Sequence, residues 1–138
     1  MTLPNPWSLT ISEAHRLLVN KELSAVELTE SVIERIKHTD SKINSFITIT
    51  EESALESAAN ADSIISKGEA SMLTGIPFQA KDNICTTGIN TTCASKMLEN
   101  FMPNYDATAI TKLKSEGAVL LGKGNLDEFA MGSSTENS

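Results

Sequence analysis

The chain has 138 residues, 14.8 kDa, and 18 acidic against 11 basic residues for a formal charge of −7, a size that suits one domain. The acidic balance argues against binding nucleic acid unaided, since that affinity comes from Lys and Arg neutralising phosphates, and 4% aromatic content leaves no base-stacking platform. The longest apolar run, Ala118-Val119-Leu120-Leu121, falls far short of the ~20 residues that cross a bilayer, so no membrane partner is expected.

The opening Met1-Thr2-Leu3-Pro4-Asn5-Pro6-Trp7 has neither a basic stretch nor an apolar one, and no export signal is read there. Thr10-Ile11-Ser12-Glu13 has the form of a capping box. It predicts a helix with Ala14, Leu17 and Leu18 on one face. Ser24-Ala25-Val26-Glu27 repeats the box and opens a longer helix striped by Ala25, Leu28, Val32, Ile33 and Ile36. Lys37 and His38 fall near its last turn, where positive charge suits the macrodipole. Phe46-Ile47-Thr48-Ile49 reads as a short strand. A third helix is predicted from Glu51 to about Lys67, carrying Ala54, Leu55, Ala58, Ala61 and Ile65 and stopping at Gly68. His15 and His38 lack a second ligand or carboxylate at a telling spacing, and both are read as structural or solvated.

The pattern changes after Gly68. Gly75-Ile76-Pro77-Phe78-Gln79-Ala80 is a turn leading into a short strand that delivers Lys81-Asp82-Asn83 at its end. Residues 84–105 are rich in Thr, Asn and Gly, with one short helical possibility at Ala94–Leu98. Cys85 and Cys93 stand eight positions apart, which makes neither a disulfide framework nor a zinc site. They are expected as reduced thiols of a cytoplasmic protein. Asp106 is placed as the cap of a helix through Ala109, Ile110 and Leu113 that stops at Gly117. Ala118–Leu121 follows as a buried strand, then Gly122-Lys123-Gly124-Asn125 as a tight turn. Strand, helix and buried strand make a parallel βαβ unit, so the fold class is α/β. Ligands in such sheets gather beyond the carboxyl ends of strands.

Lys81 is the residue best placed for chemistry. A solvated surface cation is the ordinary role of a lysine, but an amine at the end of an apolar strand can be desolvated into the neutral form, a competent base. Asp82 beside it could instead stabilise the cation, and spacing alone does not decide. Gly122–Asn125 lacks the G-x-x-x-x-G-K-[ST] pattern of a phosphate loop. Asp127-Glu128 has no third ligand in evidence, so no metal site is expected. The tail Gly132–Ser138 is rich in hydroxyls, yet it lacks Gly-x-Ser-x-Gly and no histidine follows position 38.

Taken together, Gly75–Asn83, Thr91–Asn100, Tyr105–Thr108 and Asn125–Ser138 resemble the amidase signature family. Within it they are most similar to the branch formed by the A subunit of glutamyl-tRNA(Gln) amidotransferase, through Asp-Glu-Phe-Ala-Met-Gly-Ser-Ser-Thr-Glu-Asn-Ser (127–138). Gly124 and Gln79 depart from the residues usual at those positions. The resemblance implies a fold of N-terminal helices followed by the first strands and helices of a mixed sheet sandwiched by helices. Residues 1–138 would form a single, incomplete domain, mainly helical over 1–68, with the first α/β units over 73–138.

The resemblance also implies a Ser–cis-Ser–Lys amidase in which Lys81 is the catalytic base and Met131, Gly132 and Ser133 lie near the substrate pocket. The bridging and nucleophilic serines belong to a Gly/Ser-rich stretch that relatives carry beyond Glu-Asn-Ser, so this chain alone is expected not to hydrolyse glutamine. Implied partners are the B and C subunits, glutamine as ammonia donor, and charged tRNA held through a partner subunit. No cofactor is expected in this chain; ATP and Mg²⁺ would be used by the complex. The other readings are a fragment of a stand-alone amidase and a non-catalytic module that docks onto or complements another chain.

Overall fold

In the computed structural model, which describes residues 5–138, both capping boxes form. The reading of Met1–Trp7 as free of an export signal lies mostly outside the described residues. Thr10 Oγ1 accepts from Glu13 N while the Glu13 carboxylate accepts from Thr10 N, starting α1 (Ile11–Val19). Ser24 and Glu27 do the same for α2 (Ala25–Ile43). Asp62 adds a long-range cap, its carboxylate accepting from Ala25 N at 2.6 Å and Val26 N at 3.3 Å. α2 continues past His38 to Ile43 and ends on Asn44, whose φ of 54° is left-handed.

β1 (Phe46–Ile49) and α3 (Glu51–Ser66) follow where they are expected. Gly68 takes up a φ of +77° just past α3, a conformation that costs glycine little. The face of α3 toward α2 carries Ala54, Ala58 and Ala61, all buried. With Leu18, Leu28, Ile33, Ile36, Ile65, Val119 and Leu121 they form the larger core, between the helices and one face of the sheet. Among the described residues, no helix is long and apolar enough to cross a membrane.

The sheet has the order β1-β3-β2, where β2 is Pro77–Lys81 and β3 is Val119–Gly124. β2 and β3 are parallel, joined through α4 (Thr108–Ser115), and β1 runs antiparallel to β3. The α/β class and the βαβ unit are therefore as expected. Two local expectations fail. Ala107, not Asp106, is the N-cap of α4 and makes no side-chain cap bond. The Asp106 carboxylate instead accepts from Thr87 N and Lys114 Nζ, both at 2.7 Å, which tie the preceding loop to the end of the helix. Gly122-Lys123-Gly124 is not a turn but the second half of β3, buried throughout.

The register explains that extension. Phe78 pairs with Leu120, but Gln79 pairs with Gly122, so Leu121 is an extra residue in β3. A bulge of this kind reverses which face each following side chain takes. Val119 and Leu121 pack in the larger core, whereas Leu120 packs with Ala80 and Ile110 in a smaller one on the opposite face. Beyond the bulge, Lys123 pairs with Ala80 and reaches the loop above the smaller core. A Cβ on Gly122 would lie 2.1 Å from the Thr48 carbonyl oxygen, so only glycine fits there.

Candidate functional site

Lys81 closes β2 and pairs with Gly124, and its side chain is exposed. The neighbouring Asp82 is wholly buried. Adjacent residues of extended chain point to opposite faces, so the two side chains part at the strand end. The Asp82 backbone is held on both sides: its N–H donates to Gly124 O at 2.9 Å, and its carbonyl accepts from Cys93 N at 3.0 Å.

The Asp82 carboxylate is also fully engaged on one oxygen. Oδ2 accepts from Thr92 N at 2.9 Å and from Thr92 Oγ1 at 2.5 Å. Oδ1 makes no hydrogen bond and faces the Lys123 ammonium at 3.6 Å. Lys123 itself is 0% exposed. Its Nζ donates to Ile84 O at 2.7 Å and Thr91 Oγ1 at 2.8 Å. Burial pushes the Lys123 pKa below the usual lysine value, with Asp82 pulling the other way. Burial likewise raises the Cys93 thiol, with the Asp82 charge adding to it.

From Asp82 the hydrogen bonds continue into the next two segments. Thr92 Oγ1 accepts from Ala94 N at 3.1 Å, across a turn in which Cys93 and Ala94 both have a φ of 53°. Cys93 O accepts from Phe129 N at 2.9 Å, and Ser95 Oγ donates to Glu128 Oε1 at 2.5 Å. Asp127 folds the tail back by accepting from Thr135 N at 2.9 Å and Asn137 N at 3.3 Å, and these backbone donors hold its carboxyl below the usual range. Gly132 packs on that carboxylate so closely that a Cβ would lie 2.4 Å from Asp127 Cγ.

Lys81 thus stands at the strand end where it is expected, but its side chain is exposed and not in the desolvated setting that the apolar strand suggested. Met131, at 79% exposure, Gly132 and Ser133 line an exposed stretch of the tail that Asp127 organises. Cys85 and Cys93 are free thiols, and the Cys85 thiol donates to the Tyr105 hydroxyl at 3.3 Å. His38 Nδ1 pairs with Glu34 O at 2.9 Å within α2. Among the described residues no three His, Cys, Asp or Glu side chains stand close enough to hold a metal ion. Sequence reasoning missed Lys123. Its signal, a lysine two positions after an apolar strand run, is indistinguishable from an exposed turn until the bulge at Leu121 is known.

The chain is similar to known proteins along most of its length. The family profile described as Amidase matches residues 27–138. The A subunit of glutamyl-tRNA(Gln) amidotransferase from Desulfosudis oleivorans is 59% identical over 133 residues, covering 96% of this chain and 27% of that protein. The protein of the same name from Caldanaerobacter subterraneus is 60% identical over 132 residues, with the same coverages of 96% and 27%. The peptide amidase of Stenotrophomonas maltophilia superposes with a TM-score of 0.85 at 32% identity, covering 91% of this chain and 26% of that one. The chain therefore spans about a quarter of the length of the relatives it matches.

Proposed function

Because the chain belongs to the amidase family, we propose that it is the N-terminal part of an amidotransferase A subunit that hydrolyses glutamine to supply ammonia. The observation that carries this reading is the 59–60% identity to two such subunits across 96% of the chain, against 32% to the peptide amidase. In this reading Lys81 is the base. Its neutral amine takes a proton through serines contributed by the remaining length of the protein, and the activated hydroxyl attacks the glutamine side-chain amide. The tetrahedral adduct collapses with the C–N bond breaking and the proton returning to the departing ammonia, and water then hydrolyses the acyl-enzyme to glutamate. Met131, Gly132 and Ser133 border the amide substrate. ATP and Mg²⁺ act in the partner B subunit, with C completing the complex, where ammonia converts Glu-tRNA(Gln) to Gln-tRNA(Gln). The acidic charge of −7 suits a subunit that leaves the tRNA to its partner. The complex works in the cytoplasm.

The test is a chimera in which this chain replaces the matching quarter of the Desulfosudis oleivorans relative. Glutamine hydrolysis is expected, and Lys81→Ala is expected to lower it on the order of 10²–10⁴-fold. A chimera whose turnover ignores Lys81 overturns the reading. Hydrolysis of simple amides without the B and C subunits, in preference to glutamine, favours the stand-alone amidase instead, the reading supported by the peptide amidase likeness.

A further inference from the structure

The buried Lys123 has no part in the proton relay described above, yet it is firmly anchored: two acceptors within 2.8 Å, and a carboxylate at 3.6 Å. We propose that Lys123 is a positioning residue for Lys81: by holding the Asp82 carboxylate on the smaller-core face, it denies the Lys81 amine the carboxylate that follows it in the chain. The proposal rests on the reading of Lys81 as the base, because a base must be able to lose its proton.

The geometry supports this at each step. Lys81 and Asp82 are consecutive, so an unrestrained carboxylate could turn toward the amine beside it. The bulge at Leu121 puts Lys123 on the Ala80 face, from which its side chain reaches up to Asp82. Thr92 alone satisfies only Oδ2, and the orphaned Oδ1 is left to the Lys123 charge. A buried carboxylate stripped of that charge is costly to keep inside. Cys85, Cys93 and Asp82 are the titratable groups that act on Lys123, and of these only Asp82 is ordinarily charged near neutral pH.

The experiment follows acetylation of Lys81 by acetic anhydride in the full chain at pH 8, read by mass spectrometry, with Lys67 as the internal reference. A unit charge about 6 Å away at a watery surface changes the proton affinity of an amine by roughly three-fold. Lys123→Met is expected to slow Lys81 labelling by about that factor, as Asp82 turns outward. Lys123→Gln, which keeps a donor for Ile84 and Thr91 but not the charge, is expected to do the same and serves where the methionine variant fails to fold. Lys123→Met with Asp82→Asn is expected to return to the parent rate, and Asp82→Asn alone is expected not to slow. An unchanged rate in both single Lys123 variants overturns the proposal. So does equal slowing in all four, which would mark general loosening of the strand end. The chimera's dependence on Lys81 judges the base reading separately, since labelling rates follow charge whether or not the amine is catalytic.

Discussion

In α1 to α3 the buried side chains are apolar apart from Thr29, whereas around the ends of β2 and β3 the buried set includes Asp82, Thr86, Thr91, Ser95, Lys123 and Asp127. The two regions also differ in reach. Thr10 with Glu13 and Ser24 with Glu27 bond three positions apart. At the strand ends Thr92 meets Asp82 across ten positions, Ser95 meets Glu128 across 33 and Lys123 meets Ile84 across 39. One region is held by apolar area and by caps that are local apart from the one Asp62 gives to α2. The other is held by polar groups that satisfy each other only once the whole unit has folded, so removing one partner strands the rest.

The sharpest way to break this contrast is at the ion pair. Lys123→Met removes the charge that holds the Asp82 carboxylate inside, and breaking a buried pair costs about 3–5 kcal/mol. Adding Asp82→Asn is expected to recover part of that loss, because no bare charge remains inside. Urea denaturation of the single and double variants measures the difference. Equal losses would place the strand ends in the same class as the helices.

In the helical half the corresponding blow is a cavity. Leu18 is 1% exposed within the larger core, and Leu18→Ala is expected to cost about 3 kcal/mol. No second substitution should recover it, since the loss is one of packing. Denaturation of Leu18→Ala alone and combined with Asp82→Asn is expected to give additive losses, the two sites sharing no partner.

These two regions are unequally legible in the sequence for the same physical reason. The capping boxes, the alanine stripe of α3 and the stop at Gly68 are signals contained within a turn or two of helix. The βαβ unit is visible because Ala118–Leu121 is uninterrupted apolar chain. Lys123 is not, because an alternating pattern carries it to the face of Val119 and Leu121, and the extra residue that reverses this depends on pairing with β2. Asp106 misleads in the same way: its side chain has a local role available as a cap, but Thr87 and Lys114 offer better partners in space. Lys81 stands out by its place at a strand end, while the part played by Asp82 beside it is decided only by the direction its carboxylate turns.

A smaller effect is expected at the second capping box. Ser24→Ala removes one acceptor from the Glu27 N–H and should cost about 1 kcal/mol. The pH dependence has a definite sign. The N–H of Ser24, chiefly, holds the Glu27 carboxyl below its usual pKa in the folded chain, so the unfolded chain binds the proton more readily. That stabilisation is complete above the usual glutamate pKa and is lost as pH falls through the lowered, folded value. Ser24→Ala is expected to flatten this acid slope in part, since the hydroxyl is lost while the N–H remains, measured as melting temperature between pH 6 and pH 3.

The smallest expected effect concerns Gln79 and Gly124, and it tests whether the contrast extends to the Lys81 face of the sheet. Gln79 lies two residues before Lys81, and its Nε2 donates to Ser45 O at 2.7 Å. To make that bond the side chain crosses over Gly124, where a Cβ would stand 2.6 Å from Gln79 Cδ. The two residues therefore go together: a glutamine that reaches Ser45 needs glycine beneath it. Gly124→Ala should force the amide aside and lose that bond, costing about 0.5–1 kcal/mol. With Gln79→Ala already in place, the same alanine no longer meets the crossing amide and should cost close to nothing, or help by stiffening the strand. A double-mutant cycle in urea reads the coupling. A Gly124→Ala loss that persists undiminished beside Gln79→Ala would separate the two positions, and would mean that backbone conformation at Gly124, not the crossing amide, selects glycine there.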